Sequence, residues 1–201
     1  MISVVIATFG SDEWKKEGQE TLASLFSQTS NDFSAHHRHA DSLAESRNLG
    51  AAAADGEWLC FLDADDRLDN GYIEAMSKEV QKLDHDRYLL QPSHRNDKDR
   101  PTGEAGVVSM IPRCDLRHGN CLVIGTLVSR RLFEKVGGFS DKYEIYEDWE
   151  FWIRCSKQGA VIRQVPDAIY EIQVREGSRN QRPASEQRQI ASKIRRKHFS
   201  R

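Results

Sequence analysis

Asp63-Ala64-Asp65-Asp66 puts three carboxylates within four residues, directly after the apolar run Trp58-Leu59-Cys60-Phe61-Leu62. In an extended segment side chains at i and i+2 point the same way, so Asp63 and Asp65 can converge on one ligand. Two carboxylates at the mouth of a strand suit a hard divalent cation. Mg2+ and Mn2+ take oxygen ligands and keep positions for water and for phosphate. Spacing alone does not single this cluster out, because Asp84-His85-Asp86 and Asp97-Lys98-Asp99 have the same D-x-D form and read as solvated turns. What separates the first is the buried strand that would deliver it; the bland alternative is an acidic turn.

A second pair of carboxylates, Glu147-Asp148, opens the amphipathic stretch Tyr146 to Lys157. A helix N-terminus favours an ionised carboxylate, which can then accept a proton. Acidic residues in a first helical turn also serve simply as caps and dipole partners. Arg47, upstream of the cluster, can pair structurally with Asp63 or Asp66. His36, His37 and His39 suggest a transition metal, and Cys114, His118 and Cys121 suggest zinc, but neither group completes a fourfold pattern.

These residues need a scaffold, and hydrophobic periodicity supplies one. Ile2 to Ala7 reads as a buried strand, followed by a helix capped at Ser11 or Asp12 with Trp14, Leu22, Leu25 and Phe26 on its packed side, ending near Gln28 to Asn31. Phe33 to Ala40 is a weakly alternating second strand. Asp41 to Ala54 is helical, with Leu43, Leu49 and the alanines packed, and Glu57 to Leu62 is the strand carrying the cluster. A helix over Asn70 to Leu83, a strand over Arg87 to Gln91 and a polar loop over Pro92 to Gly106 follow. Strands are expected at Val107 to Ile111 and Leu122 to Ser129, then a helix at Arg130 to Val136 ended by Gly137-Gly138. After the helix opened by Tyr146 come strands at Ala160 to Val165 and Ala168 to Val174, and a basic helix from Ala184. Strands alternating with helices through the first 90 residues predict an α/β fold with a mostly parallel sheet, whose ligands bind beyond the carboxyl ends of the strands.

A chain of 201 residues fits one domain, here 1–182, with a tail over 183–201. Its 29 basic and 31 acidic residues nearly balance, which argues against nucleic-acid wrapping or membrane coating by the whole chain. From Val174 onward, however, nine basic residues face only Glu176 and Glu186. The four cysteines form no CxxC pair, so a reduced, cytoplasmic protein is expected. No apolar run approaches the roughly 20 residues of a membrane helix, and Met1 to Gly10 has no signal-peptide pattern.

Ser46-Arg47-Asn48-Leu49-Gly50 and Gly56-Glu57-Trp58-Leu59-Cys60-Phe61-Leu62-Asp63-Ala64-Asp65-Asp66 together resemble the "ARNxGxxxAxGexlxFLDaDD" block of family 2 glycosyltransferases. Val4-Val5-Ile6-Ala7-Thr8-Phe9 resembles that family's opening strand, with Ala7 where Pro is usual. Arg130 to Phe139 and Tyr146 to Arg154 resemble its later blocks, so matches in order span residues 2 to 154. Gly119-Asn120 to Gly125-Thr126 looks most like short phage-encoded members. The resemblance implies the GT-A fold and inverting transfer of one sugar from a nucleotide-diphosphate sugar, UDP- or GDP-linked, with Mn2+ or Mg2+. It implies donor contacts at Thr8, Arg47, Asp63, Ala64 and Asp65, and metal contacts at Asp65 and Asp63. Asp148 would be the general base, with Glu147 beside it.

Two departures matter. The family's acidic block for the nucleobase is shortened, leaving Asp41 as a substitute, and Gln173 stands where many members carry a metal-binding His, with a carbonyl oxygen to offer the metal in its place. The acceptor implied for a phage-like member is a modified DNA base, a virion protein or a small carrier. The competing readings are a nucleotidyltransferase, disfavoured by the acidic, non-basic loop Thr8 to Glu13, and a non-catalytic nucleic-acid-binding module built on the tail, whose binding would be salt-dependent.

Overall fold

The continuous apolar run near the N-terminus forms β1 (Ile2–Phe9), nearly all of it buried, as befits a strand covered on both faces. This computed structural model describes residues 1–96, 108–109, 114–173 and 182–199. On one side β1 pairs in parallel with β2 (Phe33–Ala40), and on the other with β3 (Trp58–Asp63). β2 is half-buried along its whole length and polar in composition, which suits the outer edge of a sheet. The register sets Ala7 opposite Asp63 and Phe9 opposite Ala40, so the carboxyl ends of all three strands open on one edge.

Among the described residues β4 (Arg67–Leu68), β5 (Tyr88–Asn96), β7 (Leu127–Ser129) and β8 (Val161–Ile172) extend the sheet to the order β2-β1-β3-β7-β5-β8-β4, with β6 (Val108–Ser109) on β5. β5 and β8 form a long parallel ladder, and β7 joins it to β3 by short antiparallel pairings. β4 pairs antiparallel with β8. The sheet is thus mixed, with its long ladders parallel, and with the helices it forms a single α/β domain.

α1 (Asp12–Ser24) runs on into a 3-10 turn over Leu25–Ser27, and α2 (Leu43–Ala53) starts at Ser42, whose hydroxyl accepts the Glu45 backbone N–H at 3.1 Å. That is an N-cap of the expected kind. α2 lies so close to β1 that a β-carbon on Gly50 would stand 2.2 Å from Val5 Cγ1. α3 (Tyr72–Val80) covers β8. α4 (Arg130–Val136) is capped by Ser129 and ends on Gly137 at φ 81°, and α5 (Glu147–Lys157) packs against it. α6 (Ala184–Phe199) docks on α5: Ile194 is fully buried, and Lys197 and His198 reach the buried carboxylate of Glu150 at 2.7 and 3.0 Å.

Several expectations are corrected. Trp14 (40% exposed), Phe26 (89%) and Leu49 (47%) face outward, while α1 packs through its buried Gly18 and Thr21 and the partly buried Leu22. Residues 92 to 96, expected in a loop, continue β5 through Pro92, where the ladder shifts register. The strand expected over Leu122 to Ser129 is confined to its last three residues, and the two strands expected after α5 are one, β8. β4 is too short to show in the pattern. The rest of the loop to Gly106, most of the Val107 to Ile111 strand, the Asp97 triplet and the start of the basic tail lie outside the described residues. Among the described residues no helix is long and apolar enough to cross a membrane.

The cysteines also depart from expectation. Cys114 and Cys121 form a disulfide with a Cα separation of 5.4 Å. This overturns both the fully reduced reading and the zinc reading of that pair. Cys60 and Cys155 are free and buried, and burial pushes both thiols up to about 12.

Candidate active site

Asp63 ends β3 and points a carboxylate at Arg47, whose Nη2 donates to Oδ1 at 2.7 Å. Arg47 Nη1 donates to Glu147 Oε1 at 2.9 Å. One guanidinium on α2 therefore bridges the end of β3 and the start of α5, and it stacks over Phe139 at 5.1 Å. Arg47 is 2% exposed and Glu147 4%. Burial opposes the charge on Arg47, but Asp63 and Glu147 outweigh it and hold the group protonated above its ordinary range.

Asp148, next along α5, lies on the open side. Its Oδ1 accepts the Trp149 backbone N–H at 2.7 Å, and its Oδ2 accepts Asn120 Nδ2 at 2.6 Å. Its low-dielectric surroundings, then the Glu147 charge, raise the carboxyl to about 6, with Arg47 opposing them. The group is still mostly ionised at neutral pH and is poised to take a proton. Tyr146, just before α5, has φ 66°, the one non-glycine residue with positive φ among those described. Such a conformation costs on the order of 1 kcal/mol and recurs at functional sites.

Arg47, Asp63, Glu147 and Asp148 share a cavity of about 240 Å³ with Asn120, Asp66 and Tyr170. Asp66 is an anchor: it accepts the Tyr170 hydroxyl at 2.7 Å and the Gln173 backbone N–H at 2.9 Å. Burial, then the neighbouring Asp63 charge, pushes its carboxyl well above the usual range. Gln173 thus meets the cluster through its backbone. Ala64 is buried, its carbonyl accepting the Thr21 hydroxyl. Asp65 sits partly exposed at the turn beside the cavity rather than in its wall.

Thr8 and Asp41 lie at the same sheet edge but are not part of that wall. Thr8 is buried, and its hydroxyl bonds the ring nitrogens of His37 and His39 at 2.8 and 3.0 Å. His36 turns the other way, to Ser34, so the three histidines do not converge. Asp41 is exposed and gives its backbone N–H to Glu45.

Among the described residues no three His, Cys, Asp or Glu side chains converge to hold a metal by themselves. Asp63, in the cavity wall, and Asp65, beside it, are the carboxylates on hand for a cation that would keep most of its shell for water and phosphate. Around one arginine the cavity gathers Asp63, Glu147 and Asp148, an excess of negative charge that such a cation would relieve.

Sequence reasoning missed Asn120 and Tyr170 as site residues. Their partners are 28 and 104 residues away, and no local pattern marks such contacts.

A family model described as glycosyl transferase family 2 matches residues 35–147, more than half of the chain. The chain is 29% identical over 126 residues to YwdF, an uncharacterized glycosyltransferase of Bacillus subtilis (strain 168), covering 61% of this chain and 47% of that protein. It is 24% identical over 122 residues to an uncharacterized glycosyltransferase of Haemophilus influenzae, covering 57% and 41% respectively. It spans less than half the length of these curated relatives. Among solved structures, that of S. aureus TarS 1-349 in complex with UDP-GlcNAc shares the fold, with a TM-score of 0.65 at 16% identity over 100% of this chain and 73% of that one.

Proposed function

The chain belongs to glycosyl transferase family 2, and on that premise we propose that it moves one sugar from a nucleoside-diphosphate sugar to an acceptor hydroxyl, with inversion. The observation that carries this reading is the convergence of Asp63, Arg47 and Glu147-Asp148 from three separate elements on one cavity. Asp148 is the general base. It takes the acceptor hydroxyl proton as the new oxygen–C1 bond forms opposite the diphosphate and the old C1–oxygen bond breaks. The nucleoside diphosphate leaves with that electron pair. Attack from the opposite face inverts the anomeric centre.

Asp63 and Asp65 would hold Mg2+ or Mn2+ together with the donor diphosphate, since Asp66 is committed to Tyr170 and Gln173. When bound, that cation neutralises charge developing on the leaving diphosphate. Arg47 keeps Asp63 and Glu147 in place and adds a buried positive charge facing the same cavity. Thr8 and Asp41, at the ends of β1 and β2, are the candidates for the nucleoside end of the donor.

UDP sugars are the first donors to test, because TarS was solved with UDP-GlcNAc and with UDP; GDP sugars are the second. A modified DNA base, a virion protein and a small carrier remain the proposed acceptors. Isothermal titration with Mn2+ and a panel of UDP- and GDP-sugars tests the reading. Asp65→Asn is expected to abolish metal-dependent donor binding, and Asp148→Asn to leave it intact. Binding by Asp65→Asn equal to the parent would overturn the metal assignment.

A further inference from the structure

Asp148 is a carboxylate whose terminal torsion would ordinarily be broad. Here two donors fix it from different elements: the Trp149 backbone N–H on Oδ1 and the Asn120 side-chain amide on Oδ2. Each oxygen keeps a second lone pair, so the carboxylate can still accept a proton from the cavity.

The amide is itself oriented. Asn120 Oδ1 accepts the Leu122 backbone N–H at 3.3 Å, which turns Nδ2 toward Asp148; the flipped amide would set oxygen against carboxylate. The turn bearing Asn120 is held on several sides. The Cys114–Cys121 disulfide closes it, Trp149 Nε1 donates to the Leu116 carbonyl at 2.9 Å, and Arg195 Nη2 of α6 donates to the His118 carbonyl at 2.5 Å. Gln91 Nε2 donates to the Cys121 carbonyl at 2.8 Å. A side chain needed only for solubility would not require such fixing.

We propose that Asn120 is a positioning residue for Asp148, setting the orientation in which the carboxylate meets the acceptor hydroxyl. The role rests on the assignment of Asp148 as the base. The amide hydrogen bond also favours the ionised carboxylate. It acts alongside Arg47 and against Glu147 and Asp63, the charged groups that face Asp148 from α2, α5 and β3.

The test is a carboxyl 13C titration of the full chain carrying labelled aspartate, with the Asp148 resonance assigned by its loss in Asp148→Asn. It is run beside the pH profile of nucleoside diphosphate release from UDP- and GDP-sugars, with water as the acceptor hydroxyl that takes the sugar. In Asn120→Ala the Asp148 midpoint and the acid limb of turnover should both move up by about 0.5 to 1 pH unit. The donor KM should hold, and kcat should recover on the alkaline side. Asn120→Asp should move both further, because it sets a like charge against the carboxylate, and Asn120→Ser, which retains a donor, should fall between the parent and Asn120→Ala. Midpoints unmoved in both Asn120→Ala and Asn120→Asp, with Asp148→Asn inactive, would overturn the positioning role alone. Full turnover in Asp148→Asn would overturn the base assignment and the positioning role with it.

Discussion

Arg47 and Asp148 carry opposite demands at neighbouring positions. Arg47 is buried between two carboxylates, so removing its charge takes an ion pair from the buried Glu147 and another from Asp63. Arg47→Met should cost about 3–5 kcal/mol in urea unfolding. Arg47→Lys should restore only part of it, since an ammonium cannot bridge two carboxylates with the same fork. Asp148 pays the reverse penalty. Its carboxyl rises from 3.8 to about 6 on folding, so the folded state favours the protonated form. That advantage is complete below about pH 4 and is lost as pH rises through about 6. Asp148→Asn should therefore raise the melting temperature at pH 7.5 by about 2–4 °C per kcal/mol relieved, and leave it unchanged at pH 4. Turnover runs the other way, because the base must be ionised, and it should fall as pH drops through about 6.

At the scale of elements, the end of β3 is tied to β8 through Asp66 and Tyr170, and Gly125 lets that tie form. A β-carbon there would stand 2.2 Å from the Tyr170 ring. Gly125→Ala should destabilise the fold by about 1–3 kcal/mol and weaken cation-dependent donor binding in calorimetry, since Asp66 would lose its anchor. Much of this framework was legible in the sequence. Phe33–Ala40 and Arg130–Val136 have the predicted bounds, because an edge strand between turns and a Ser-capped helix ended by glycine carry local signals. β4 has two residues and no periodicity to read, and β5 runs through a proline that normally argues against a strand interior. Asp63, Arg47 and Glu147-Asp148 stood out because the family pattern marks them. Asn120, Tyr170 and the Cys114–Cys121 bridge did not, since each acts through a distant partner or through spacing too common to be specific.

For the whole molecule, the basic C-terminal stretch folds back on α5 over its described length. Burial alone would raise the Glu150 carboxyl, but Lys197 and Arg154 outweigh it and keep it below its ordinary range. Truncation after Pro183 would strip Lys197 and His198 from that buried carboxylate and uncover the Ile194 seat. It should lower stability by about 3 kcal/mol or more in thermal or urea unfolding, whereas Lys193→Ala, at an exposed position, should change it by less than about 0.5 kcal/mol. α6 also steadies the turn before Asn120 through Arg195 and meets Tyr146 through Gln187, so the same truncation should slow turnover more than it weakens donor binding.

The central claim is that one cavity binds a sugar nucleotide and uses Asp148 to take the proton of the hydroxyl that displaces the diphosphate. The most direct measurement is the rate of UDP or GDP release from a panel of sugar nucleotides with Mn2+, water standing in as the acceptor hydroxyl that takes the sugar, in the parent chain and in Asp148→Asn. The account predicts release from at least one donor by the parent, and a loss of about 100-fold or more in Asp148→Asn. No release from any donor, or equal rates in the two proteins, would contradict it.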